Sequence, residues 1–249
     1  SKIKIVTKDI SLFERIFICG IVVFVGKTNC LPIVYNGLET LEYRGYDSAG
    51  IAYIYNNKIN IIKEKGKLIN LKDKLDFNIS SKIAIGHTRW ATHGNANKTN
   101  AHPHQVGKFT VVHNGIIENY IDLKNKLLKK GYQFKSDTDT EVISALLDYN
   151  YKLEKDILKS INKTKNELVG SFALGILCSD DIKNIYALRY SSPLILASFT
   201  NSNFLASDIP AIINYTNKYI LLDDLEIAKL NEDKITIYNK DLKEKKIKY

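Results

Sequence analysis

Short apolar runs separated by polar turns fill the first third of the chain, amphipathic helical stretches fill the middle, and short apolar runs return in the last third. Cys19 to Val25 (CGIVVFV), within an apolar stretch reaching back to Ile16, reads as a buried strand. Leu31 to Leu41 carries apolar residues at helical spacing and ends in a polar turn at Arg44 and Gly45. Ile51 to Tyr55 and Ile59 to Lys63 flank Asn56-Asn57, a hairpin signal. A helical turn over Leu68 to Leu75 precedes a strand over Ile83 to His87, and the polar stretch Thr88 to Lys108 predicts a long ordered loop of the kind that carries function.

A strand over Phe109 to His113 comes next, followed by helices over Ile121 to Lys130, Asp139 to Leu153 and Ile157 to Leu168. Asp139, Thr140 and Glu141 suit a helix start, with Asp139 as a candidate N-cap. Strands are then predicted over Ser171 to Cys178, Ile185 to Arg189, Leu194 to Ala197, Phe204 to Ala206, Tyr219 to Leu222, Glu226 to Leu230 and Lys234 to Tyr238. This order points to an α+β fold with antiparallel sheets, and no repeat or linker divides it.

The composition fits one ordinary globular domain: 249 residues, 45% apolar, 25% charged, with 13 Gly and 4 Pro. Collagen-like, low-complexity and disordered classes are excluded, and no apolar run approaches the roughly 20 residues of a membrane helix. The net charge of +9 comes from 36 basic and 27 acidic residues, but only Arg15, Arg44, Arg89 and Arg189 are Arg. Lys spread along the whole chain reads as a solvated surface, whereas a nucleic-acid binder clusters its charge and uses Arg for two-pronged contacts. Where Lys fills nearly every basic position, an Arg marks a site that needs a planar donor. The scattered Cys19, Cys30 and Cys178 form no disulfide framework or metal finger, so a reducing, cytoplasmic setting is expected. The sequence has no Met, which predicts that the chain is trimmed upstream or is an excerpt.

All five His and the single Trp, Trp90, lie between His87 and His113. His102 and His104 have the spacing of one strand face, but Pro103 separates them and no carboxylate or Cys lies in the window, so no metal site is expected. Cys30 and Cys178 read as small buried hydrophobes. Cys19 differs, because Gly20 follows it at the mouth of a strand.

Six blocks carry a resemblance: CGIVVFVG from Cys19, GLETLEYRGYDSAGIA from Gly37, HTRWATHG from His87, NAHPH from Asn100, VVHNGIIENY from Val111 and SDTDTEV from Ser136. In order and together, they resemble the glutamine amidotransferase domain of glucosamine-6-phosphate synthases, which are N-terminal nucleophile hydrolases. The resemblance implies a four-layer αββα sandwich of two antiparallel sheets, L-glutamine as substrate and no cofactor. It implies that Cys19 attacks the glutamine side-chain amide, with its own α-amino group as base. The Asn114 side-chain amide and the Gly115 N–H would form the oxyanion hole, although Asn-Gly alone reads as a hairpin turn. Arg89 would hold the substrate α-carboxylate and Asp139 the α-ammonium. Thr92, His93 and Gly94 would line the pocket, Trp90 would gate the ammonia path, and Arg44 and Tyr46 would support the nucleophile.

Two positions depart from the family pattern, Val23 and Ser191, each standing where Gly is usual. The sugar-isomerase domains of such synthases have no counterpart here, so they are expected as partners in the same or a separate chain; neither nucleic acid nor membrane is expected. Residues 1–18 read as an extension or propeptide before a 19–249 amidotransferase domain. The extension contains Asp9 and Glu14, has no Arg-rich amphipathic pattern and no apolar signal core. A self-removed propeptide and upstream sequence outside the natural start both remain open. Other readings are a silent glutamine-binding domain with a blocked Cys19, the amidotransferase domain of another pathway, and a Lys-rich nucleic-acid binder.

Overall fold

Alternation along the first strand, β1 (Gly20–Gly26), decides which layers meet. Ile21, Val23 and Val25 enter one buried cluster, while Val22 and Phe24 enter another. The computed structural model describes residues 19–247. The extension 1–18, and the first residues of the apolar stretch from Ile16, lie outside the described residues.

After β1 come α1 (Cys30–Thr40), β2 (Ser48–Tyr55), β3 (Lys58–Lys65), α2 (Leu68–Lys72), β4 (Ile83–Arg89), β5 (His104–Val106) and β6 (Phe109–Ile117). The helices α3 (Tyr120–Leu128), α4 (Asp139–Glu154) and α5 (Ile157–Glu167) follow. The chain continues through β7 (Gly170–Cys178), β8 (Ile185–Tyr190), β9 (Ile195–Phe199), β10 (Ser202–Ala206), β11 (Ile220–Leu221), β12 (Ile227–Leu230), β13 (Ile235–Tyr238) and β14 (Glu244–Lys245). The strands form two seven-stranded antiparallel sheets, β11-β9-β10-β1-β4-β2-β3 and β14-β13-β12-β8-β7-β6-β5.

Three apolar clusters follow from this arrangement. One packs the outer face of the first sheet against α1 and α2. The second lies between the sheets, where Val23 and Ile85 share a layer with Val112 and Ala173. The third packs the second sheet against α3, α4 and α5. This is the expected four-layer αββα sandwich, and each fully buried aliphatic side chain contributes about 1.5–3 kcal/mol. Val23 has room because a Cβ on Gly175, across the sandwich, would stand only 3.2 Å from Val23 Cγ2. Among the described residues no helix is long and apolar enough to cross a membrane.

Several boundaries differ from the sequence reading. Thr88 and Arg89, expected in a loop, complete β4 by pairing with Ala49 and Ser48 of β2. Residues 104–106 form an edge strand whose polar sequence hid it. The helix expected over Leu68 to Leu75 stops at Lys72. Strand β6 runs past Asn114-Gly115 because β7 pairs with it as far as Gly170, so the dipeptide sits within a strand and not in a hairpin turn. The N-cap of α4 is Thr138, whose hydroxyl accepts the Glu141 N–H at 3.3 Å, and Asp139 is the first helical residue.

Candidate active site

One end of β1 brings Cys19 beside the ends of β4 and β6. The Gly20 N–H donates to Thr88 Oγ1 at 3.1 Å and the Ile21 N–H to Ser207 Oγ at 3.0 Å, which pins the strand where the Cys begins it. The Cys19 sulfur accepts the Trp90 N–H at 3.2 Å. Burial pushes the Cys19 thiol up to about 11, against the lowering effects of that N–H and of Arg89.

Cys19 lines a small cavity. Its wall also includes Arg89, Trp90, Thr92, His93, Gly115 and Asp139, together with His102, His113 and Thr138. Gly115 has φ 129°, and a Cβ there would lie 2.0 Å from the Ser171 carbonyl oxygen, so only Gly fits this notch in β6. Asn114, its neighbour, donates from Nδ2 to the Cys19 carbonyl oxygen at 3.0 Å.

The buried Arg89 guanidinium gathers the loop after β4. It donates to the carbonyls of His93, Gly94 (3.2 Å) and Asn95 (3.5 Å), and Asp47 Oδ1 lies 3.8 Å away. Asp47 Oδ2 also accepts the Ala91 N–H at 2.6 Å, so one carboxylate holds both sides of Trp90. Asn100 completes the clasp, donating to the Asn95 carbonyl at 2.9 Å and accepting the Asp137 N–H at 3.0 Å. Gly94 therefore contributes a carbonyl to Arg89 and does not line the cavity. Asp139 Oδ2 accepts the Ile117 N–H at 2.9 Å and lies 4.0 Å from His93 Nδ1, which faces no hydrogen-bond partner. Asp139 and Arg89 thus place opposite charges on one small cavity.

Arg44 and Tyr46 lie away from its wall. Arg44 pairs with Asp208, next in the chain to the Ser207 that holds Ile21, and Tyr46 donates to Glu42 while accepting the Leu68 N–H at 2.7 Å. The motif reading left out Asp47, Thr88, His87 and Ser207. Asp47 was visible as the lone acid between Gly45 and Ser48 in a motif block, whereas Ser207 had no local signal, since its partner is 186 residues away. Four histidines, His87, His102, His104 and His113, are buried, and burial lowers the pKa of each, so they are neutral. Among the described residues no group of His, Cys, Asp or Glu could hold a metal ion. Cys30 and Cys178 are buried and unpaired.

A family profile described as glutamine amidotransferase domain matches residues 87–214. The chain is 48% identical over 226 residues to a glutamine–fructose-6-phosphate aminotransferase (isomerizing) of Clostridium perfringens, covering 90% of this chain and 37% of that protein. It is 50% identical over 224 residues to the enzyme of the same name from Aquifex aeolicus, covering 89% of this chain and 38% of that one. It therefore spans less than two fifths of the length of these relatives. Among solved structures, the glutamine phosphoribosylpyrophosphate amidotransferase of B. subtilis superposes with a TM-score of 0.77 at 23% identity, over 91% of this chain and 50% of that one. A glutamine aminotransferase class-II domain protein from Silicibacter pomeroyi has a TM-score of 0.62 at 14% identity, over 89% of this chain and 99% of that one. At these identities the two structures speak for the fold.

Proposed function

The chain belongs to the glutamine amidotransferase domain family, and we propose that it hydrolyses L-glutamine to glutamate and ammonia through a thioester on Cys19. The observation that carries this reading is the convergence of a buried thiol, a Gly notch and an Arg/Asp pair on one small cavity. The Cys19 sulfur attacks the side-chain amide carbon as the Cys α-amine takes the thiol proton. The amine returns that proton to the departing nitrogen as ammonia leaves, and water then cleaves the thioester to give glutamate. A free α-amine titrates at about 8, whereas burial holds the Cys19 thiol up at about 11, so the transfer is uphill and is drawn to completion as the sulfur bonds to the amide carbon. Asn114 Nδ2 and the Gly115 N–H stabilise the oxyanion. Arg89 takes the α-carboxylate and Asp139 the α-ammonium, while Thr92, His93 and the loop through Gly94 enclose the rest. Trp90, 42% exposed at the cavity mouth, gates the site.

The ammonia serves glucosamine-6-phosphate formation from fructose-6-phosphate in a cytoplasmic enzyme. Support comes from the identity to the two aminotransferases and from their greater length, which leaves room for sugar-isomerase domains in the same or a separate chain. The test is glutamate release by a chain that begins at Cys19. Cys19→Ala should abolish it while leaving the circular dichroism spectrum intact, and chelator should leave the rate unchanged. Release by Cys19→Ala at the unsubstituted rate would remove Cys19 from the mechanism.

A further inference from the structure

An asparagine serves as an oxyanion donor only if its amide nitrogen, and not its oxygen, faces the reacting carbon, and the side chain by itself prefers neither. We propose that His87 is the positioning residue that sets this orientation, holding Asn114 Oδ1 so that Nδ2 stays turned toward Cys19. The proposal rests on the glutaminase reading of the site.

Strand alternation brings the two residues together. Ile83, Ile85 and His87 of β4 share one face, Val112 and Asn114 of β6 share another, and the isoleucines meet Val112 in the layer between the sheets. There His87 Nε2 lies 2.9 Å from Asn114 Oδ1, while Asn114 Nδ2 donates to the Cys19 carbonyl oxygen at 3.0 Å. His87 is fully buried, and burial pushes its pKa down to about 3, so its neutral ring carries a single N–H. That proton belongs on Nε2, because a lone pair there would face the amide oxygen. Nδ1 makes no hydrogen bond, and the His113 backbone acts on the ring more weakly than Asn114 does. A flipped amide would set oxygen against oxygen at Cys19, and at His87 it would be accepted only by a ring that had moved its proton to Nδ1, where it makes no hydrogen bond. Both contacts therefore select the same orientation.

The ring is itself held. His87 stacks on His102 with centroids 4.1 Å apart. His102 accepts the His113 N–H at Nδ1 (3.4 Å), and its Nε2 lies 3.1 Å from Thr140 Oγ1. Thr140 Oγ1 lies 3.0 Å from His113 Nδ1. The buried histidines thus form a rigid support reaching from α4 to Asn114. His87 does not line the cavity, so it acts through Asn114 and not on the substrate.

The experiment uses the chain beginning at Cys19. His87→Phe keeps the ring and its stacking and removes the donor; it should lower kcat about 10- to 100-fold with KM within about 3-fold. His87→Gln, which can still offer an N–H, should recover most of the loss. The deciding measurement is the double-mutant cycle: in an Asn114→Ala background, His87→Phe should cost less than about 2-fold. Losses that multiply, a change confined to KM, or an unchanged kcat would each overturn the proposal. Imidazole ¹⁵N shifts of the unsubstituted protein give a readout independent of activity and of how the variants fold: the Nε2–H tautomer is expected, and Nδ1–H would overturn it. If the unsubstituted protein turned over no glutamine, the glutaminase reading would fall, and the tautomer would still say whether the His87–Asn114 contact stands.

Discussion

The backbone N–H of Trp90 donates to the Cys19 sulfur at 3.2 Å, so a residue of the cavity wall also grips the thiol. This single donor does not offset burial, which pushes the thiol from 9.0 to about 11. While Ile18 remains bonded to Cys19, the thiolate population at pH 8 should be about 100-fold below that of free cysteine, and alkylation by iodoacetamide should slow accordingly. Between pH 9 and 11 the folded state keeps a proton that the unfolded chain has lost, so this group's contribution to stability falls as pH rises through that window. Peptide mapping of alkylated Cys19 reads the rate. Labelling as fast as free cysteine would mean that the thiol is not buried as described.

Asn114→Ala should lower kcat by about 10²- to 10³-fold with little change in KM, because the donor acts on charge that develops only in the transition state. Steady-state glutamate release separates the two constants. An unchanged kcat would confine Asn114 to its bond with the Cys19 carbonyl.

The elements that face a core were legible because burial imposes a period on them. The apolar run of β1 and the helical spacing of α1 both survive in the structure. Residues serving the cavity broke those patterns. Thr88 and Arg89 extend β4 although nothing apolar marks them as strand, and Asn114-Gly115 has the local chemistry of a turn but is carried through β6 by its partner β7. The motif blocks brought Cys19, Arg89 and Asp139 onto one short roster. They could not show that Arg89 also fastens three loop carbonyls or that Ser207 holds β1, since those contacts exist only once distant segments meet.

Arg89→Lys and Asp139→Asn should raise KM for glutamine by roughly one to three decades, because each removes a charge-assisted contact to the amino-acid end of the substrate. The two should differ in stability. Lys cannot span the carbonyls that Arg89 gathers, so that variant should also melt earlier, whereas the amide oxygen introduced by Asp139→Asn can still accept the Ile117 N–H. KM and melting temperature measured on both variants decide the matter. A fall in melting temperature with KM unchanged would leave Arg89 a purely structural clasp.

Ser191 stands at φ 59°, in the left-handed region, where the resemblance places Gly. Its N–H donates to Asp224 Oδ1 at 2.9 Å, a bond that does not depend on the side chain. Ser191→Gly should relieve about 1–2 kcal/mol of steric strain against about 0.5–1 kcal/mol of added chain entropy. The net gain of about 0.5–1 kcal/mol should raise the melting temperature by about 1–4 °C with glutaminase turnover unchanged. A lower melting temperature would show that Ser191 is not strained.

The nucleophile's own α-amine decides whether the site can turn over. In the sequence as it stands, Ile18 is joined to Cys19 by a peptide bond, and an amide nitrogen cannot accept the thiol proton. No other base of suitable affinity is provided by the buried histidines: His102 and His113 line the cavity, but burial lowers the pKa of both. The form that retains residues 1–18 should therefore release no glutamate, while a chain beginning Met-Cys19, with the Met removed in the cell, should be active. The iodoacetamide rate should rise with the activity, because a free amine beside the sulfur can take its proton. Intact mass, paired with a glutamate-release assay on the same sample, tests both forms. Full turnover by a protein that demonstrably still carries residues 1–18 would mean that another group serves as base, and His93, which lies in the cavity wall with Nδ1 4.0 Å from Asp139, would be the first to substitute.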